Sequence, residues 1–398
     1  METSTQALRD AVVLVQPDAA AAGGGQPDIA SLSALAIRSL VSLFDEKEQL
    51  FAERATVSAD GYRRNQPSRK QTMIALMGLH RMATLGGAQP FDLTAIRNRA
   101  FQDRSWVKSV DDLGLLTWFT AVCLPERLRA VLEEFDFENA LTSYEDGRQA
   151  QTAALASFLA GISHARLASS EQLQDLTDTA VDTYRLLQAN QSRGGIFGRA
   201  GAARFPRGIL YDRFGTFAHQ MSAIYALAKF AQAFQIDEPL ESALACANAM
   251  CALQGESGEW WFLYDKRTCR VVSRYPLLAL HQCGAAPLGL LALGEAIGRS
   301  FDDVVFKGLS WFRGASELGN LILKADRAFV WNSIGLEGRV VQVREAVLAI
   351  LMPSRKTDVS GLKIQYESRP EHFGWLLYAF AGFGRPKMAA VGRAAGTS

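Results

Sequence analysis

Two His-Gln dipeptides, His219-Gln220 and His281-Gln282, each open an apolar run, FGTFAHQMSAIYALA and LHQCGAAPLGLLALG, and they lie 62 residues apart. An imidazole at the head of such a helix suits general acid or base work, because its ordinary pKa lies near neutrality. Upstream of the second pair stand Trp260, Trp261, Tyr264, Asp265, Arg274 and Tyr275. Neighbours on a regular helix point about 100° apart, so two adjacent tryptophans cannot both face one core. One of them is expected to face solvent or a ligand. Aromatic faces beside acids and amides suit sugar rings, which offer apolar C–H faces and many hydroxyls. A third segment, Tyr366-Glu367-Ser368-Arg369-Pro370-Glu371, leads into FGWLLYAFAG with Trp375.

The expected catalytic set is therefore His281, Tyr275, Asp265, Glu367 and His219. The expected substrate-binding set is Trp260, Trp261, Tyr264, Arg274, Gln282, Gln220, Arg369 and Trp375. Glycosidase chemistry needs two facing carboxylates, and Asp265 and Glu367 are the pair that could supply them. Lyase or epimerase chemistry would instead use Tyr275 or His281 to move a proton beside a carboxylate that Arg274 or Arg369 neutralises bidentately. Asp111-Asp112 also precedes a candidate helix, where an acid is a plain N-cap. No GxxxxGK[ST] loop, HExxH, His-x-His or GxSxG elbow occurs, and GIFGRAG has the wrong spacing for a dinucleotide loop. No cofactor and no metal are expected. The five cysteines form no CxxC pair, and Cys246 and Cys251 read as free thiols of one helix.

The elements that must hold these residues are helices. Of 398 residues, 48% are hydrophobic and 21% charged, the composition of a folded chain. The 42 Lys+Arg against 41 Asp+Glu leave a net charge of +1, without the basic excess of a nucleic-acid binder. The N-terminus lacks a basic region followed by an apolar core, so no signal peptide is read and the cytoplasm is the expected compartment. Tyr275 to Gly294 is twenty residues without a charge, but it holds Pro276, Pro287, His281, Gln282 and three glycines. That reads as a buried helix entered by a loop, not as a membrane span. Residues 1–30 read as a flexible leader, 31–384 as one all-α domain and 385–398 as a tail. Apolar stripes at helical spacing run through IASLSALAIRSLVSLFDEKEQLFAERA, RKQTMIALMGLHRMATLGG, DLGLLTWFTAVCL, ERLRAVLEEFDFENAL and their successors. RVVSRY and GLKIQY are the best candidates for short strands.

DLTDTAVDTYRLLQANQSRGGIF and EPLESALACANAMCALQGESGEWW align with a shift of 63 residues. Ala180 falls on Ala243, Val181 on Leu244, Leu187 on Met250, Gln191 on Gln254, Gly195 on Gly258 and Phe197 on Trp260. FKGLSWFRGASELGNLI, ending near Gly319, reads as a decayed third copy. A period of that length is one helix hairpin, and hairpins stacked in a ring make an α/α toroid, with an open solenoid as the alternative. In such a ring, equivalent repeat positions share one rim, so His219 and His281 are expected in the same mouth.

Each repeat closes on Gln-x-x-x-Gly-x-aromatic. This resembles the closing turns of α/α-toroid enzymes: the QW motif of terpenoid cyclases, and the Gly-Gly-x-Trp turns of six-hairpin glycosidases, lyases and epimerases. The resemblance covers roughly residues 175 to 320 and implies the fold. GEWWFLYD, RYPLLALHQ and YESRPEHFGWLLYAFAG further resemble a bacterial family associated with surface-polysaccharide loci. That family's pattern carries Asp where this chain has His219, and Asp after His-Gln where it has Cys283. Together these imply a carbohydrate-active protein of exopolysaccharide or surface-glycan metabolism, a hydrolase, lyase or epimerase acting on an acidic sugar. An isoprenoid cyclase is the alternative, but Ser109-Val110-Asp111-Asp112 lacks the first acid of Asp-x-Asp-Asp. Asp111-Asp112 and Asp302-Asp303 also lack the last acid of DDxxD. A non-catalytic toroid that binds a glycan or partner is the third reading. Neither nucleic acid nor stable membrane insertion is expected.

Overall fold

The fold is that of a computed structural model, and it is described over residues 28–58, 61–87, 89–147, 151–169, 176–200, 212–312, 323–324, 329–336 and 360–383. Thirteen α-helices occur among the described residues. Six of them, α2 (Arg69–Thr84), α4 (Val110–Cys123), α7 (Thr152–Ala168), α9 (Phe217–Phe234), α11 (Ala286–Ile297) and α13 (Pro370–Phe380), form an inner ring. Each packs on the next, and α13 returns to α2, so the ring closes. Outside it, α1 (Ile29–Leu43) packs on α13, α3 (Leu93–Phe101) on α2, and α5 (Leu128–Glu134) with α6 (Phe137–Gly147) on α4. In the same way α8 (Leu176–Ala189) covers α7, α10 (Glu238–Ala252) covers α9, and α12 (Asp302–Ser310) covers α11. The chain is an α/α toroid.

The sequence explains which helices go inside. VDDLGLLTWFTAVC of α4 buries eleven of its fourteen residues and so has no wet face. LTDTAVDTYRLLQA of α8 buries five of fourteen, a single stripe. Glycines set the tightest crossing. A Cβ added to Gly114 would lie 2.4 Å from the Ser157 carbonyl oxygen, and one on Gly161 would lie 2.4 Å from that of Gly114, so α4 and α7 touch backbone to backbone.

The repeat is a hydrogen-bonded device. The Gln191 amide donates to the carbonyls of Gly195 (3.0 Å) and Ser242 (2.8 Å). Gln254 donates to those of Gly258 (3.2 Å) and Val304 (2.9 Å). Gly195 and Gly258 have φ of 90° and 104°, which only glycine adopts freely, and a Cβ on either would strike the outer helix of the next hairpin. Of the proposed third copy, residues 306–312 are described, at the end of α12 and just beyond it, whereas the closing turn near Gly319 lies outside the described residues.

Two runs that read as one helix are broken. The stripe from Ile29 to Ala55 is helical only to Leu43. It then turns into the hairpin β1 (Phe44–Asp45) and β2 (Leu50–Phe51), where the Asp45 carboxylate takes the N–H groups of Lys47 and Glu48 and Gln49 is left-handed. ERLRAVLEEFDFENAL breaks at Phe135-Asp136, because Phe135 is extended and Asp136 caps the next helix through the Asn139 N–H. Periodicity carried through both breaks because the turn residues happen to keep it.

Strands fall where RVVSRY and GLKIQY place them, at β7 (Arg270–Ser273) and β12 (Leu362–Gln365), and others join them. β5 (Phe214–Thr216) pairs with β6 (Leu263–Asp265), which pairs with β7; β8 (Leu277–Leu278) and β12 flank β11 (Ser333–Leu336). β3 (Ala55–Ser58) lies between β4 (Gly61–Arg64) and β13 (Glu367–Ser368), and β9 (Leu323–Lys324) pairs with β10 (Phe329–Val330). β5 runs directly into α9 and β13 almost directly into α13, while β8 precedes α11 and β4 precedes α2. The sheets therefore dress the end of the ring where inner helices begin. The uncharged stretch from Tyr275 is not one helix: it forms β8, a π-helical turn at His281–Ala285, and then α11. Among the described residues no helix is long and apolar enough to cross a membrane.

Candidate active site at the mouth of the ring

The heads of α9, α11 and α13 each carry a histidine. Thr216 caps α9 reciprocally with His219: the Thr216 N–H donates to His219 Nδ1 (2.9 Å), and the His219 N–H donates to Thr216 Oγ1 (3.4 Å). An Nδ1 that accepts from a backbone N–H carries no proton, so the neutral ring is protonated on Nε2. His219 is half-buried, and burial, with the Arg199 charge, lowers its pKa to about 4. His281 lies in the π-helical turn with its ring 4.8 Å from that of Phe217. Burial, then the charges of His219 and His372, lower its pKa to about 3. His372 is the third residue of α13 and is fully buried; burial, then Arg369, lower it to about 3. Neither ring nitrogen of His372, nor Nδ1 of His281, has a hydrogen-bond partner. Three imidazoles thus lie close enough for their charges to be felt, and all are held neutral at ordinary pH. The first two are those of the His-Gln pairs. His372 was missed, although Glu371-His372 opens FGWLL much as His-Gln opens the other two helices.

The glutamines of the pairs face the scaffold. Gln220 Oε1 accepts the Phe197 N–H and its Nε2 donates to the Phe197 carbonyl, both at 2.8 Å. Gln282 holds Trp260 in the same way, at 3.2 and 3.3 Å. Both side chains are fully buried, so their amides clamp the aromatic residue of the closing turn. Trp260 is fully buried against Phe217 at 5.2 Å, whereas Trp261 is half-buried with the Arg274 guanidinium 5.0 Å above its ring. Tyr275 meets Trp261 edge-on at 6.5 Å, and Tyr264 is fully buried. The adjacent tryptophans therefore part as expected, one to the core and one outward, though from a loop and not a helix.

The two carboxylates expected to act together sit on different sheets, each with its own arginine. Asp265, on β6, receives two hydrogen bonds from Arg213, at 2.9 and 2.6 Å, and one from the Arg267 N–H at 2.9 Å. Burial pushes its pKa up, but those bonds outweigh it and leave the carboxyl below its usual range. Glu367, on β13 and 4% exposed, is held by Arg54 at 3.0 Å and by Arg369. Arg369 also lies 3.7 Å from Glu371, whose backbone and carboxylate are both bonded by the Gln71 amide. Burial raises the Glu371 pKa against the pull of Arg369 and Gln71. A carboxyl whose pKa is raised by burial thus stands next in sequence to an imidazole whose pKa burial lowers.

Deeper in the ring, Trp375 meets Trp118 at 4.9 Å, and Trp118 stacks on His164 (4.9 Å) and Tyr225 (4.8 Å). His164 Nε2 and the Tyr225 hydroxyl are 2.7 Å apart, and Trp118 Nε1 donates to the Tyr378 hydroxyl. These rings, from four inner helices, make an aromatic floor below the histidines. All five cysteines are free, and burial raises the thiols of Cys283, to about 12, and Cys251, to about 11, so neither is a ready nucleophile. Among the described residues no group of three or more His, Cys, Asp or Glu could hold a metal ion.

No protein-family model and no curated protein matches the chain. Solved structures do. A possible member of the GH105 family from Klebsiella pneumoniae superposes with a TM-score of 0.57 at 13% identity, over 93% of this chain and 95% of that one. The cellobiose 2-epimerase of Bacillus thermoamylovorans gives 0.56 at 9% identity, over 96% and 99%. An unsaturated glucuronyl hydrolase specific for heparin gives 0.52 at 13%, over 88% and 95%. At these identities the likeness is one of fold, the six-hairpin α/α toroid.

Proposed function

We propose that this toroid is a carbohydrate-active enzyme of surface-glycan metabolism, acting in the cytoplasm by proton transfer on an acidic sugar bound in the mouth of the ring. The observation that carries the reading is the trio of neutral imidazoles at the heads of three successive inner helices. A neutral imidazole can take a proton from the carbon beside a sugar carbonyl or carboxylate, and the imidazolium so formed can return it. His372, with both nitrogens unpartnered, keeps a free lone pair and is the proton carrier; His219, whose neutral ring carries its proton on Nε2, donates a hydrogen bond to the sugar, and His281 lies beside them. Arg369 pairs with the substrate carboxylate. Trp261, Arg274, Tyr275 and Trp375 offer stacking faces and anion contacts. Asp265 and Glu367 act as positioning groups for Arg213 and Arg369. Their separate arginines favour an epimerase or lyase over a hydrolase that would need two facing carboxylates. Glucuronyl hydrolases and sugar epimerases among the proteins of like fold agree with acid–base chemistry on sugars.

The test is incubation with uronate-containing oligosaccharides in heavy water, followed by proton NMR. The expected result is loss of the signal from the carbon-bound proton beside the carboxylate or carbonyl. His219→Ala and His372→Asn, still folded by circular dichroism, should abolish it. Binding without exchange, bond cleavage or epimerisation would mark a non-catalytic glycan receptor and refute the enzymatic reading.

A further inference from the structure

Among the described residues three large hydrophobic side chains are well exposed, and Tyr366, at 54%, is the most exposed and the only aromatic one. Its ring is not loose. Trp331 meets it edge-on with centroids 5.2 Å apart and planes at 85°, and Trp331 in turn stacks on Phe329 at 5.9 Å and 5°. Trp331 and Phe329 are themselves buried. The backbone is fixed on both sides, since Gln365 ends β12 on its partner β11 and Glu367 begins β13 on its partner β3. The edge-to-face contact with Trp331 orients the ring, and at 54% exposure the ring still offers a face to solvent. An aromatic ring with two side-chain torsions, already braced, loses little entropy when something stacks on it.

Its place along the chain gives the ring a use. The next residue, Glu367, anchors Arg54 and Arg369, and Arg369 caps the helix that carries His372. Arg369 is the third residue after Tyr366, a backbone span of at most about 11 Å. We propose that Tyr366 is a stacking platform for a pyranose ring next to the acidic unit held at Arg369, so that the substrate is an oligosaccharide extending out of the mouth. This rests on the reading of the mouth as a glycan site and adds the length of the ligand to it.

The experiment measures binding, not turnover: quenching of tryptophan fluorescence as a uronate-containing disaccharide and the matching tetrasaccharide are titrated into the full chain. The wild type should hold the tetrasaccharide on the order of tenfold tighter, the factor that 1.4 kcal/mol represents. Tyr366→Ala should bring the two ligands to equal affinity, while Tyr366→Phe keeps the preference. Circular dichroism of both variants should match the wild type, as expected for an exposed ring. A preference that survives in Tyr366→Ala overturns the platform, and so does equal binding of both glycans by the wild type; each leaves the mouth reading intact. Failure of the wild type to bind either glycan overturns both.

Discussion

Acid should unfold this protein through its histidines. An unfolded histidine titrates near 6.5, whereas in the fold His219 is lowered to about 4 and His281 and His372 to about 3. Because the native values are depressed, the unfolded chain binds more protons throughout that interval. Stability is therefore complete above about pH 6.5 and falls as pH drops. At pH 5 each of the fully buried His281 and His372 costs about 2 kcal/mol relative to neutral pH and the half-buried His219 less, on the order of 5 kcal/mol for the three. His80 and His164 are lowered as well and act in the same direction. Glu371, raised in the fold, acts in the opposite direction and offsets a part at lower pH. Against a typical stability of about 5–15 kcal/mol, the three imidazoles remove a large share of it at pH 5. The assay is urea unfolding at about pH 7.5 and 5, followed by far-ultraviolet circular dichroism. His372→Asn should shrink the loss between the two by about 2 kcal/mol, whatever it does to stability at the higher pH. Equal stability at both values, or an unchanged loss in His281→Asn and His372→Asn, would refute the argument.

Gly258→Ala should destabilise by at least about 2 kcal/mol, since it places a Cβ at φ 104° and 2.0 Å from the Lys307 carbonyl oxygen; a thermal midpoint within a degree of wild type would count against it. Gln220→Leu leaves the buried Phe197 N–H and carbonyl unpaired and should cost about 2–3 kcal/mol in urea unfolding, although no substrate contact is removed. Asp265→Asn, which removes the buried charge that pairs with Arg213, should lower stability more than it lowers affinity for a uronate, and urea unfolding beside calorimetric titration separates the two.

The ring was legible because it repeats. Gln191 and Gln254, Gly195 and Gly258, and Phe197 and Trp260 mark equivalent turns, and each plays one hydrogen-bonding or packing role in both copies. Histidine position was legible from the same spacing. The pairing of Asp265 with Arg213 was not, because its partner lies 52 residues away, just before a strand that no periodicity announces. His372 was hidden by its company: Glu371-His372 lacks the glutamine that marked the other two. The floor of Trp118, His164, Tyr225 and Tyr378 was hidden for a different reason. Each ring reads as an ordinary core residue of its own helix, and only ring closure brings four helices to one axis.

The His-Gln pair shows why fold and site share a motif. Successive residues of a helix point about 100° apart, so if Gln220 is turned back onto Phe197, His219 is turned away from it. The same holds for Gln282 on Trp260, even though His281 enters through a π-helical turn. The clamp that joins one hairpin to the next therefore sets the azimuth of the imidazole, and a lost clamp would misdirect that imidazole as well as weaken the ring. The ring closes where the last inner helix meets the first. There Gln71, on α2, reaches across to bond both the backbone and the carboxylate of Glu371, beside His372. A glutamine from the first hairpin thus fixes the head of the last inner helix, and the third imidazole is positioned by the closure of the ring itself.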